Sequence, residues 1–176
     1  IYIDNAKINI LVNQKGDANY NIYKSDSKDT TTSSESASLK LENIQISNSQ
    51  LVYNDKSTKI SIEAKGFNYK GKGDLQASNF NLKTSAKIDS LSFAYDKKEY
   101  LKNKKVKADL ITKINTNSLS FVFEKNDLVI NKLPVKFTGL FDFLKNGYQM
   151  DFELKTEDSD LDDLFTALPA EYVSWM

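Results

Sequence analysis

The chain has 176 residues, 40% hydrophobic and 27% charged, with 24 basic and 24 acidic side chains and a formal net charge of zero. That is the composition of one ordinary folded domain, and the balanced charge argues against a nucleic-acid partner, which normally leaves a basic surplus. Every basic residue is Lys, so the fork-shaped donor preferred for phosphates and base edges is missing, and the absence of both His and Cys removes the commonest general base, the commonest metal ligand, thiol nucleophiles, thiolate metal sites and disulfides.

Taken in chain order, the dominant signal is apolar alternation at period two, the mark of half-buried strands. Ile8, Ile10 and Val12 open it, and no signal-peptide pattern precedes them. Both ends, Ile1-Tyr2-Ile3-Asp4 and Val173-Ser174-Trp175-Met176, read as internal to a longer protein. Residues 24–38 (KSDSKDTTTSSESAS) hold no large apolar side chain and are expected to form a loop, because they have nothing to bury. Alternation resumes at Leu39 and Leu41, then slips parity to Ile44 and Ile46, which suggests a bulge or short turn at Glu42-Asn43. Leu51 with Tyr53, Ile60 with Ile62, and Phe67 with Tyr69 follow. Next come Phe80 with Leu82, then Leu91, Phe93 and Tyr95, and a long run from Val106 to Ile114. Leu119, Phe121 and Phe123, then Leu128 and Ile130, lead into Val135 and Phe137, Phe141 and Phe143, and Met150 to Leu154.

These runs predict roughly ten to twelve antiparallel strands at a spacing of about 8–12 residues. Asn48-Ser49, Asn54 to Ser57, Lys70 to Gly73, Glu124 to Asp127 and Lys145-Asn146-Gly147 supply turn chemistry between them. Near the end, Leu161, Leu164, Phe165 and Leu168 have helical spacing, with Asp158 or Ser159 as cap and Pro169 as stop. The stripe is expected to dock on the sheet. The fold class predicted is mainly β: an antiparallel, strongly twisted and curved sheet, as a groove or partial barrel, with one short C-terminal helix.

Chemistry is sparse. Asp158, Asp160 and Asp162 have calcium-loop spacing, but Asp163 stands where the loop needs Gly and Pro169 where it needs Glu. Acids at a helix start are explained by the helix dipole. Gly71-Lys72-Gly73 lacks the strand-to-helix context and the GK[ST] ending of a phosphate loop. No pair of carboxylates is fixed in an apolar setting, and a Ser nucleophile would have only Lys as its base. No catalytic residue, metal site or cofactor is assigned.

The aromatics lie mostly on the apolar phase, and one short helix is too small to cover so many strands. The face must therefore close as a sandwich or barrel, or stay open as an apolar groove. The candidate lipid-facing lining is Leu39, Leu41, Ile44, Ile46, Leu51, Tyr53, Ile60, Ile62, Leu91, Phe93, Tyr95, Leu119, Phe121 and Phe123.

Two stretches carry a family resemblance. The first runs from Ala6 to Ile22 through Gly16-x-Ala18-Asn19-Tyr20, then resumes at Leu39-x-Leu41 and Ile44-x-Ile46-x-Asn48-Ser49-x-Leu51-x-Tyr53-x-Asp55. The second, after Tyr100-Leu101, is Asp127-Leu128-Val129-Ile130-Asn131-Lys132-Leu133-Pro134-Val135-Lys136-Phe137-Thr138-Gly139, continuing through Asp151 to Lys155 and on to Leu161-x-x-Leu164-Phe165-x-x-Leu168-Pro169-Ala170-x-Tyr172. In this order they resemble the AsmA-like proteins of Gram-negative bacteria over nearly the whole of residues 1–176, with Phe165-Thr166-Ala167-Leu168 departing from the usual L-S-L-I. The resemblance implies a periplasmic piece of a protein anchored in the inner membrane outside this chain. It also implies a role in outer-membrane biogenesis, phospholipid or another envelope lipid as cargo, and outer-membrane assembly proteins as partners. It carries over no catalytic residue. The alternative is a structural or adhesive β-domain with a closed core, and a Ser–Lys hydrolase is a remote third reading.

Overall fold

The computed structural model describes residues 1–20, 43–74, 77–144 and 147–173. The predicted loop 24–38, together with Leu39, Leu41 and the slip at Glu42, lies outside them.

Among the described residues a single sheet holds all nine strands and does not close on itself. The first two are β1 (Tyr2–Asp4) and β2 (Lys7–Val12), and the third is β3 (Asn43–Asp55). β4 (Ile60–Lys72), β5 (Asn79–Tyr95), β6 (Lys98–Asn115) and β7 (Ser120–Ile130) follow, and β8 (Leu133–Leu144) and β9 (Gly147–Thr156) complete the sheet. From β3 to β9 each strand pairs antiparallel with its chain neighbour. β1 and β2 instead run parallel to β3 and form one edge together. The prediction of a mainly antiparallel β fold with one short C-terminal helix holds.

Among the described residues the strand count is lower than the alternation suggested, because several parity slips are bulges within strands. Asn48-Ser49 is no hairpin turn: β3 passes through it with a shift of register against β4. Glu124 to Asp127 likewise lies inside β7, at a shift between Phe123 and Asn126, and Gly71 and Lys72 belong to β4. An extra residue in one strand flips parity, and the flip returns the apolar set to the same face. Asn5 (φ 50), Asn48 (φ 46), Gly66 (φ 60) and Asn103 (φ 51) take the left-handed conformations these irregularities need. Asn and Gly are the residues that adopt it most readily. Side chains tie the line together: the Asn48 amide donates to Asn68 Oδ1 at 3.1 Å, and Ser90 Oγ donates to Asn103 Oδ1 at 3.1 Å.

The two sheet edges differ. Beside β2 the chain turns at Asn13 to Asp17 and comes back, so that Asn19 bonds along the strand's outer side. Its amide donates to the Leu11 carbonyl at 2.9 Å, its Oδ1 accepts from the Leu11 amide at 3.0 Å, and its Nδ2 donates to the Asn9 carbonyl at 2.9 Å. That is the work of Asn19 in the Gly16-x-Ala18-Asn19-Tyr20 motif. At the other edge β9 pairs β8 without a register shift, and Met150, Phe152 and Leu154 are exposed.

The helix α1 (Leu161–Ala167) lies against β8. Asp160 is its N-cap, without a side-chain capping bond, rather than Asp158 or Ser159. The expected stripe docks only in part. Leu161 and Leu164 are exposed, Phe165 and Leu168 half-buried, and Ala167 is the buried contact, packed with Leu133 and Val135. Leu168 is already extended (ψ 158) beyond the helix, and Ala167, which lies outside the stripe, takes the contact with the sheet. The carbonyls left free at the helix end are met from the sheet. The Lys104 ammonium donates to the Thr166 carbonyl and, at 3.1 Å, to that of Leu168, while Asn131 Nδ2 donates to Thr166 at 2.8 Å. Burial pushes the Lys104 pKa down. Lys104→Met, which keeps the stem and removes the donor, should cost about 1.5–3 kcal/mol, the range for a hydrogen bond to a charged group. Faster amide exchange confined to α1 is the expected readout.

Candidate functional site

Residues paired across strands point to the same side of a sheet, so the register locates every lining residue. Tyr53, Ile62, Phe93 and Leu101 form one row across β3 to β6, and Leu51, Ala64, Leu91 and Lys104 form the next. Beyond the bulges Ile46, Tyr69, Ala86, Ala108, Leu128 and Val135 continue across six strands. Ile44 stands opposite Gly71, and Ile60 opposite Tyr95. Phe121 pairs Ile114 and Phe141, and Phe123 pairs Thr112 and Gly139. All the predicted lining residues within the described chain share this side, with one exception. Leu119 (φ 53) sits in the turn before β7 and is 50% exposed. It belongs to the β6–β7 connection, not to the lining.

Sequence reading missed other members of the same face: Ile8 and Ile10 opposite Leu51 and Tyr53, and Phe67, Phe137 and Phe152. Their alternation was visible in the sequence, but which strands shared a side depended on the bulges. Near β9 three rings gather, with centroids 5.5 Å apart for Phe123 and Phe137, 5.6 Å for Phe123 and Phe152, and 6.3 Å for Phe137 and Phe152. They close over Gly139, which has no side chain to hold them apart.

Among the described residues this face is only partly covered. Every described Phe side chain remains at least part-exposed, and Tyr95 is 48% exposed. The buried apolar residues are small or medium-sized: Val12, Ala64, Val106, Ala108, Leu133, Val135 and Ala167. The cluster under α1 is Leu133, Val135 and Ala167 with Leu128 and Ile130 against it, so the helix covers only the end of the sheet where β8 begins. Asn126, 2% exposed, gives its Nδ2 to the Phe137 carbonyl at 3.0 Å, while its Oδ1 has no partner. The opposite face is polar: Lys70, Lys83, Lys107, Asp109 and Lys136 project there. A depression of about 560 Å³ lies on that polar face, across β3 to β7.

Asp55, at the end of the Leu51-x-Tyr53-x-Asp55 motif, is 6% exposed and holds the β3–β4 turn. It accepts from Ser57 Oγ at 2.6 Å, from the Ser57 and Thr58 amides at 2.8 and 3.1 Å, and from Tyr53 Oη at 3.1 Å. The Ser57 hydroxyl, helped by the Thr58 and Ser57 amides, holds the carboxyl well below the usual carboxylate range despite its burial. A depressed carboxyl contributes stability above its unfolded pKa, and that contribution is lost as pH falls through the folded one. Asp55→Asn should therefore cost about 1–3 kcal/mol near neutrality. The gap between the two proteins should hold constant down to about pH 5 and shrink below about pH 4, as read by urea denaturation across pH.

Among the described residues no helix is long and apolar enough to cross a membrane, and no three acidic side chains gather to hold a metal. No protein-family model matches the chain, and no curated protein or solved structure matches it either.

Proposed function

We propose that this chain is a non-enzymatic lipid-handling module, a periplasmic piece of an AsmA-like protein tethered to the inner membrane elsewhere in its length. In this reading it serves outer-membrane biogenesis, and the apolar sheet face carries the acyl chains of a phospholipid or another envelope lipid. One observation supports this above the rest: the apolar phase stays on a single side through successive bulges, and among the described residues its large side chains stay part-exposed. A soluble surface seldom leaves more than a few hundred Å² of contiguous apolar area without an occupant. Hydrocarbon chains fit such a surface, because they need contact along its length and no directional bonding. Native mass spectrometry of the chain purified from a bacterial envelope should detect co-purified phospholipid. Lipid-free protein that also fails to take up phospholipid from vesicles would sink the proposal.

The second reading is a structural β-domain whose apolar side meets protein. The unbroken β9 edge favours it, since a free strand edge can pair with another chain. Envelope assembly proteins are the partners proposed under either reading.

A further inference from the structure

The polar face carries a feature that neither the fold nor a lipid-bearing apolar side requires. Lys72 and Lys83 stand directly opposite one another on β4 and β5, and the same row passes through Ile111 to Lys125 on β7. Like charges facing each other across strands disfavour the sheet, so a pair left that way calls for a counter-charge. Several lysines elsewhere have one: Lys65 lies 3.2 Å from Glu63, Lys102 3.1 Å from Glu99 and Lys155 2.9 Å from Glu153. Among the described residues no carboxylate lies within ion-pair distance of Lys70, Lys72, Lys83 or Lys125, and all four line the 560 Å³ depression. The depression's own carboxylates, Asp109 and Asp127, face each other one row along, and Asp127 lies within the field of Lys136.

We infer that this depression binds a phosphate-bearing anion with several charges, seated on Lys72, Lys83 and Lys125. Lys83 and Lys125 are two strands apart, about 10 Å at the usual strand spacing, so the charge is spread as in an oligophosphate or an array of headgroups. Lysine acts on such a ligand as a point charge, without the bidentate geometry of Arg. Acyl carriage on the opposite face is not needed for this site, and either can fail without the other.

Inorganic tripolyphosphate, titrated at low salt by calorimetry, should bind saturably and raise the melting temperature. Lys72→Gln with Lys83→Gln should weaken that binding at least tenfold while melting no lower than the parent, since it removes a repulsion. Asp109→Asn should tighten it severalfold. Lys102→Gln with Lys155→Gln, which removes as much charge from paired lysines, should leave it unchanged. Co-sedimentation with phosphatidylglycerol vesicles, against phosphatidylcholine, separates the sources. Vesicle binding lost in the Lys72/Lys83 variant and displaced by tripolyphosphate assigns a lipid headgroup, whereas tripolyphosphate binding alone assigns a soluble anion. No saturable tripolyphosphate binding, or equal loss in both double variants, overturns the inference.

Discussion

Phe121→Asp should abolish lipid carriage while leaving a folded protein. Phe121 lies on the apolar face, between Ile114 of β6 and Phe141 of β8, and is part-exposed. In the lipid-free protein a carboxylate there keeps contact with water, so the expected stability loss is that of some apolar contact, about 1–2 kcal/mol. With acyl chains against the face the same carboxylate would have to leave water or exclude the lipid, at a cost of several kcal/mol. Bound phospholipid, counted by native mass spectrometry, should fall at least tenfold, because each 1.4 kcal/mol is a factor of about ten. Ile62→Lys should act likewise from β4. Lys113→Asp, opposite Val122 on the polar side, changes charge more and should leave carriage intact. Equal loss in all three variants would remove the apolar face from the argument.

Gly139→Ala should be the most damaging glycine-to-alanine change among the described residues. A methyl group at Gly139 would meet the Asp151 carbonyl oxygen and the Phe152 ring, with Phe152 Cα only 3.0 Å away. Two of those contacts are backbone of the adjacent strand, which cannot turn aside as a flexible side chain can. Overpacking of this kind costs about 1–3 kcal/mol, occasionally more, and here it falls on the β8–β9 ladder. The expected result is a melting temperature lowered by several degrees and loss of amide protection concentrated in β9. Adding Phe152→Ala should recover part of the loss, because it removes one of the colliding groups. A Gly139→Ala protein that melts with the parent would show that the ladder adjusts freely.

Much of the architecture was legible in the sequence because alternation reports sidedness directly: Ile60 and Ile62, Leu91 and Phe93, and Phe121 and Phe123 each announce a strand and a face. What alternation does not report is whether a slip of parity is a turn or a bulge. Asn48-Ser49 and Glu124 to Asp127 contain the residues that hairpins favour, and at Asn48 the bulge uses the left-handed Asn of a tight turn for the same steric reason. Partner strands decide between them, and partners are not written locally. For the same reason Leu119 was placed on the face by its spacing from Phe121, while the turn it occupies was set by how β6 meets β7. The parallel edge formed by β1 and β2 was likewise hidden, since it rests on contacts made across residues 13–42. That Lys72 stands opposite Lys83 depends on the register in the same way, and no local pattern encodes it.

The succession of strands from β3 to β9, each bonded to the one before and the one after it in the chain, also governs how the molecule comes apart. Neighbours joined by short connections close small loops, so each hairpin forms at modest entropic cost. Among the described residues no second sheet lies across the strands to bind distant ones together, so cooperativity passes from strand to strand, much as stability does along a solenoid. Unfolding should then run inward from the margins, with β9 fraying early and the long β5–β6 hairpin surviving longest. Amide exchange would fall off in steps across the sheet instead of reporting one global opening. A sheet built this way can gain or lose a terminal hairpin and leave the pairing of the rest unchanged.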